Sequence, residues 1–193
     1  MTRWQEIQYS LQGCFKILKK DEAAHEYFNL SADGFWFSFL AIPIMLVLNF
    51  IGKSMEFNLA GLDEVGTLGT FGFAASILPS IFLFFCGMLI ITRSMGLSGA
   101  LPSFIIIYNW AQLAVYVVWT VLSTVTLTLL GTEGNSVLGL LFFFGSYFYL
   151  YMVIRFALPV DPAAAMGICF MEFAIAILIN MAAIQIFLEP AVQ

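Results

Sequence analysis

The sequence predicts an all-α, polytopic membrane helix bundle with five transmembrane helices and an N-terminal amphipathic helix. Of the 193 residues, 62% are hydrophobic and only 10% are charged, far from the balance of a soluble domain. Five apolar stretches are each near or above the roughly 18 to 20 residues that cross a bilayer as a helix. They are residues 35–52, 66–91, 102–130, 136–158 and 164–188. We therefore divide the chain into a cytoplasmic leader, residues 1–33, and a five-span domain, residues 34–193.

The basic residues predict the orientation of these spans. Six of the seven precede the first span or lie beside connections on the same side of the membrane, whereas only Lys53 falls on the other side. Because cytoplasmic segments carry the excess of Lys and Arg, we expect a cytoplasmic N-terminus. An odd number of spans then places the C-terminus outside.

The leader has the spacing of an amphipathic helix. Apolar residues recur at intervals of three and four: Trp4, Ile7, Leu11, Cys14, Phe15 and Leu18. One interpretation places this helix in the headgroup plane, with Trp4 and Phe15 in the interface and Lys16, Lys19 and Lys20 toward anionic lipid. The other packs the same apolar face against the cytoplasmic ends of the spans. Further along, Asp21 is expected to cap a short helix that runs through Glu26, and Ser31 or Asp33 to cap the first span.

Proline predicts irregular helices in the first two spans. Pro43 and Pro79 each lack an amide donor and carry a ring that clashes with the preceding turn, so both spans should kink. Residues 102–130 are expected to form one long helix that starts at Pro102 and tilts or protrudes.

Small residues follow one another at three-residue intervals along the second span, at Gly66, Gly69, Gly72 and Ala75. Such a stripe lets a neighbouring helix approach closely. It favours packing within the bundle over a dimer interface.

Glu172 is the one carboxylate deep inside a span, roughly 12 Å from its cytoplasmic end. A carboxylate at that depth is costly and indicates a functional site that faces the bundle or a wet cavity. Arg155, near the same membrane face, is the expected partner, which would keep Glu172 ionised and orient two helices. Without a partner, desolvation would favour the neutral acid. Asn180 is expected in the same network, and further amides are available to it: Asn49, Asn109, Gln112 and Gln185.

The residue types that carry recognisable chemistry are otherwise rare in the spans. The aromatic residues of residues 136–158 occupy every face of the helix, which favours lipid contact and packing over a pigment site. The sequence predicts no enzyme activity, no catalytic residue, no cofactor and no metal site. The expected partners are the lipid bilayer and other membrane proteins, not nucleic acid, and the oligomeric state is left open.

Several short phrases resemble the Yip family of small membrane proteins and its bacterial relatives. They are residues 27–39 entering the first span, Arg155–Val160 leading into residues 163–167, and Glu172 to Asn180. The resemblance implies a non-enzymatic membrane-organising or assembly protein, placed in a bacterial inner membrane, and transfers no catalytic residue. The acidic, tyrosine-containing motif of eukaryotic members is absent, so no GTPase partner is implied.

The functional expectation is therefore a scaffold or assembly factor for other membrane components. One alternative is a small transporter or channel that uses Glu172. Another is an accessory subunit of a larger membrane complex.

Overall fold

The computed structural model describes residues 2–188, and these form helices and short connections without any strand. The α-helices are α1 (Arg3–Leu18), α2 (Ala32–Ser38), α3 (Ala41–Leu59), α4 (Gly66–Ala74), α5 (Ile77–Ser94), α6 (Leu101–Ala157) and α7 (Pro162–Phe187). Short 3-10 helices occupy Glu22–Tyr27, Asp63–Val65 and Ser98–Ala100. Four helical stretches are long and apolar enough to cross a membrane: Ala32–Leu59, Gly66–Ser94, Ser98–Ala157 and Pro162–Leu188. These stretches are those of a membrane protein.

The first two of these stretches are each interrupted four residues before a proline. Phe39 separates α2 from α3, four residues before Pro43, and Ala75 follows α4, four residues before Pro79. A carbonyl at that position meets the proline ring and finds no amide. The carbonyls of Phe39 and Ala75 instead accept from the amide three residues ahead, at 3.1 and 3.0 Å. The predicted irregularity at each proline is therefore present as an interruption of the helix.

Helix α6 folds back on itself at Gly131. An uninterrupted helix of its 57 residues would be about 85 Å long, well beyond a bilayer. Gly131 has φ 68° and ψ −165°, a conformation that is open essentially to glycine alone. The rings of Trp119 and Phe142 lie 5.1 Å apart, where an uninterrupted helix would separate them by about 34 Å. Residues 101–130 and 132–157 are therefore two antiparallel arms, and residues 132–135, expected in a connection, are helical.

Both arms of α6 form the centre of the bundle. One buried cluster joins α1 and α3 to α6 and includes Met45, Trp110 and Val153. A second joins α5 and α7 to α6 and includes Phe84 and Ile168. Since α6 contributes to both clusters, the other helices are arranged around its hairpin.

Helix α1 docks on α6 through a face that shares only Cys14 with the apolar face predicted from the sequence. Its buried residues are Glu6, Ser10, Gly13, Cys14 and Ile17. A Cβ at Gly13 would lie 2.7 Å from the ring of Phe28, so glycine permits the returning leader to pack closely against α1. The hydroxyl of Tyr149 donates to the carbonyl of Cys14 at 3.0 Å. The buried face of α1 therefore contains small, aliphatic and polar residues but no aromatic one.

The aromatic face predicted for α1 remains largely outside the contact. Trp4 is 66% exposed, Phe15 57% and Leu18 50%, whereas Ile7 and Leu11 are partly buried. The expectation that this same face packs on the bundle is therefore wrong for its aromatic residues. The ammonium group of Lys19 lies 4.5 Å above the ring of Phe15, at the end of this exposed face.

The caps predicted for the rest of the leader are present. The side chain of Asp21 accepts from the amide of Ala23 at the start of Glu22–Tyr27, and Ser31 caps α2 through the amide of Gly34. Lys16 forms an ion pair with Asp21. The hydrogen bond in this ion pair lowers the pKa of the Asp21 carboxyl, and the pair joins the end of α1 to the segment that follows it.

We predict that Gly131→Ala destabilises the protein by about 1–3 kcal/mol, the range for a residue held in a sparsely populated backbone region. Nothing lies within 4 Å of a Cβ at Gly131, so the loss would report backbone strain alone. Gly145→Ala is the matched control, because its Cβ also meets nothing but its backbone is helical. Unfolding in detergent should leave this control unchanged or slightly more stable. Equal stabilities for the two variants would contradict the turn at Gly131.

A cavity around Glu172 as the candidate functional site

Glu172 lies inside α7 and contacts the second arm of α6. Asp161 caps α7 by accepting from the amide of Ala164 at 2.8 Å, and Pro162 occupies the first turn. Glu172 is about 15 Å further along this helix. Tyr147, at a similar distance from the end of α6, donates its hydroxyl hydrogen to Oε2 of Glu172. The antiparallel arrangement of α6 and α7 brings these two side chains to the same depth.

Two cavities meet at Glu172. Their volumes are about 290 Å³ and about 200 Å³, and the same four residues line both: Asn49, Gln112, Tyr116 and Glu172. These residues come from α3, α6 and α7. The carboxylate therefore belongs to a polar region that extends across the interior of the bundle.

The larger cavity, called here the aromatic cavity, lies between the two arms of α6. Its rings are those of Tyr116, Trp119, Phe142, Phe143 and Tyr147. A Cβ at Gly139 would lie 3.4 Å from the edge of the Trp119 indole, so this glycine leaves the indole room against the second arm. The hairpin at Gly131 is what places these rings opposite one another.

The smaller cavity, called here the amide cavity, runs between α3, α5 and α7. Besides the shared residues it is lined by Ser76, Ser80, Asn180 and Lys53. The ammonium group of Lys53 forms an ion pair with Glu56 at 2.8 Å. The cation at this cavity is therefore already matched by a carboxylate other than Glu172.

The proline interruption in the second span contributes to the site. Because the amide of Leu78 bonds the carbonyl of Ala75, the carbonyl of Ala74 loses the partner that a regular helix would supply. The amide nitrogen of Asn49 donates to that carbonyl at 2.8 Å. A buried carbonyl without a partner is costly in an apolar surrounding, so Asn49 satisfies it and is held at the cavity wall.

Arg155 does not pair with Glu172, contrary to the sequence-based expectation. It is exposed and donates to the carbonyl of Val160, at the connection between α6 and α7. No ion pair within residues 2–188 involves Glu172. Arg155 lies near the end of α6, whereas Glu172 lies about 15 Å inside α7. The carbonyl of Val160, in the connection, is therefore the nearer acceptor for the guanidinium.

The amides of the predicted network separate into three groups. Asn180, Asn49 and Gln112 line the cavities with Glu172. Asn109 is buried elsewhere and donates to the hydroxyl of Ser38 at 3.0 Å. Gln185 is exposed.

The small-residue stripe contacts α7 only in part. A Cβ at Gly72 would lie 2.4 Å from the ring of Phe187, and one at Gly69 would lie 3.7 Å from its carbonyl. Gly66 has φ 63° and meets nothing, so it serves the turn that starts α4. Ala75 lies at the interruption between α4 and α5. Helices α4 and α7 thus approach each other closely at Gly69 and Gly72. This part of the stripe serves packing within the chain.

Sequence reasoning missed Tyr147 as the partner of Glu172. It was one aromatic residue among many in the fourth predicted span. The available signal was its depth, since Tyr147 and Glu172 lie about equally far from the connection between two antiparallel helices. A comparison of how far polar residues lie from a short connection, on the two helices that it joins, would have identified the pair.

Comparison with protein-family models, curated proteins and solved structures finds no match to this chain.

We predict that Glu172→Gln and Tyr147→Phe are energetically coupled, with an interaction free energy of about 0.5–3 kcal/mol. Glu172→Gln and Arg155→Gln should instead be additive within about 0.5 kcal/mol, because the two residues share no contact. Thermal unfolding of the single and double variants in detergent measures both cycles. Coupling of Arg155 rather than Tyr147 to Glu172 would contradict the structure.

Proposed function

We propose that the chain crosses the membrane five times, with a cytoplasmic N-terminus and an external C-terminus. The support is the reversal at Gly131, which gives Ser98–Ala157 two antiparallel arms, each of a length that spans a bilayer. The distribution of basic residues favours the stated orientation. The resemblance to the Yip family favours a bacterial inner membrane.

A periplasmic-type reporter fused after Gln193 should accordingly be active, and a fluorescent reporter that folds only in the cytoplasm should be dark there. The same pair fused after Asp161, in the connection between α6 and α7, should give the opposite pattern. If Ser98–Ala157 crossed the membrane once, both fusions would exchange their activities. That exchange would overturn the five-span proposal.

We further propose that the protein is not an enzyme and organises the membrane around it, as a scaffold for other membrane components. The observation that supports this most is the position of α1. One face of the helix is fixed to the bundle, while Trp4, Phe15 and Leu18 remain exposed beside Lys19 and Lys20. This is the arrangement of a helix that lies in the membrane interface, with its apolar side chains among the acyl chains and its lysines at the headgroups.

The consequence for the membrane follows from where α1 is held. Each large apolar side chain gains about 1.5–3 kcal/mol on leaving water, so the exposed face favours insertion. A helix that enters only the cytoplasmic leaflet expands that leaflet, and such binding depends on curvature. Because α1 is attached to the bundle, its insertion into the cytoplasmic leaflet would be permanent. The Yip resemblance supports the same class of role.

This role predicts that the full chain concentrates in small vesicles relative to large ones. The variant with Trp4, Phe15 and Leu18 changed to Ser should lose most of that preference, because it removes the apolar face but not the docked face. A matched control changes three exposed residues elsewhere in the chain, Leu68, Leu129 and Leu130, to Ser. Fluorescence of labelled protein on single vesicles measures the sorting. Unchanged sorting in the α1 variant would remove the proposal.

Reactivity of Cys14 checks that α1 remains docked in that variant. Burial raises the pKa of the Cys14 thiol to about 12, so the docked helix should resist alkylation. The assay uses a background in which Cys86 and Cys169 are replaced by Ser. If alkylation of Cys14 stays slow, α1 is still docked. Any loss of sorting is then due to the exposed face.

A small transporter or channel that uses Glu172 is the second candidate. It is favoured by one observation, namely that Glu172 lies at the junction of two cavities and is not neutralised by Arg155. An embedded acid that faces a cavity is typical of substrate and ion pathways.

A further inference from the structure

The aromatic cavity combines one carboxylate with several rings and contains no basic side chain. Tyr116, Trp119, Phe142, Phe143 and Tyr147 line it together with Glu172, and none of its lining residues is Lys, Arg or His. The faces of aromatic rings attract cations, and Trp does so most strongly. This composition differs from that of a site for an anion or a purely apolar molecule.

The protein does not supply the cation that this cavity favours. Lys53 borders the amide cavity, but its ammonium group is held by Glu56 at 2.8 Å and lies 5.4 Å above the ring of Phe73. Arg155 donates to the carbonyl of Val160. The only side-chain hydrogen bond to Glu172 among the described residues comes from Tyr147, at Oε2. The second oxygen, Oε1, is available to a ligand.

The volume limits the size of the cation. The aromatic cavity holds about 290 Å³, at the lower end of the range of about 300–1,000 Å³ for small-molecule sites. A bare metal ion would not use the rings, and it prefers several oxygen ligands. A small organic cation satisfies both the carboxylate and the rings.

We propose that the aromatic cavity binds a small organic cation with a tertiary or quaternary ammonium group. Glu172 acts as its counter-ion, and the rings of Trp119, Phe142 and Tyr147 surround its alkyl groups. This site goes beyond the membrane-organising role, and it shares its location with the transport candidate without requiring transport.

Choline and tetraethylammonium are the probes, and 3,3-dimethyl-1-butanol is the uncharged counterpart of choline. Equilibrium binding to the purified full chain in nanodiscs should be saturable for at least one of the two cations. The uncharged alcohol should not compete, because it retains the shape but lacks the charge. Glu172→Gln should weaken binding at least about tenfold, which corresponds to about 1.4 kcal/mol. Trp119→Leu should weaken it about 2- to 30-fold, the range of a cation–π contact.

Two matched variants control for indirect effects. Trp36→Leu removes an indole that is 73% exposed and outside the cavity, and Glu64→Gln removes an exposed carboxylate that lines neither cavity. Both should bind the cation as the unchanged chain does, and all variants should elute as single species of the same size. Displacement by the alcohol, undiminished binding by Glu172→Gln, or no saturable binding of either cation would overturn the proposal.

Flux measured separately in sealed vesicles distinguishes this site from the transport candidate. Saturable binding without flux removes the transport candidate and leaves the cation site in place. Flux that survives in Glu172→Gln while binding is lost also separates the two.

Discussion

The backward turn at Gly131 is the constraint on which the rest of this structure depends. It turns the 57 residues of α6 into a hairpin, and both arms of this hairpin contribute buried residues to each of the two large clusters. Its first arm carries Gln112, Tyr116 and Trp119, and its second arm carries Phe142 and Tyr147. Only antiparallel arms bring these residues to one cavity. The same hairpin presents Tyr149 to the carbonyl of Cys14 and so holds α1 in place.

Proline supplies the second constraint, because an interrupted helix in an apolar surrounding must find new partners for its polar groups. At the interruption before Pro79, Asn49 satisfies the carbonyl of Ala74. At the interruption before Pro43, the hydroxyl of Ser38 donates to the carbonyl of Phe35 at 2.8 Å and accepts from Asn109. In both cases an amide from a neighbouring helix is fixed in the interior. The cavity around Glu172 uses one of these amides, so the kinks contribute to the site as well as to the fold.

The features that could be predicted from sequence are those set by local chemistry. Apolar length identified the regions that form long apolar helices, Pro43 and Pro79 gave the interruptions of the first two, and Asp21 and Ser31 gave caps. Glu172 was found because an acid is rare and expensive in an apolar span. What could not be predicted depends on pairing between helices.

The docked face of α1 illustrates that limit. Periodicity finds its apolar residues, but the burial of α1 also depends on the close approach of Phe28 at Gly13 and on the hydrogen bond from Tyr149 to the carbonyl of Cys14, which hydrophobicity does not report. Arg155 was assigned to Glu172 by charge, whereas the fold offers it the carbonyl of Val160 and gives Glu172 the hydroxyl of Tyr147. In an apolar bundle, the nearest unpaired backbone group competes effectively with a more distant opposite charge.

The separation between Val118 and Leu141 tests the central claim most directly. Both are exposed, beside Trp119 and Phe142 respectively, so spin labels there would not disturb the cavity. The background replaces Cys14, Cys86 and Cys169 with Ser, and the distance is measured by pulsed electron spin resonance in nanodiscs. Antiparallel arms predict labels separated by about the 8–10 Å between packed helix axes plus the label tethers. A distribution centred near about 34 Å, the value for an uninterrupted helix, would contradict the hairpin and the cavity it builds.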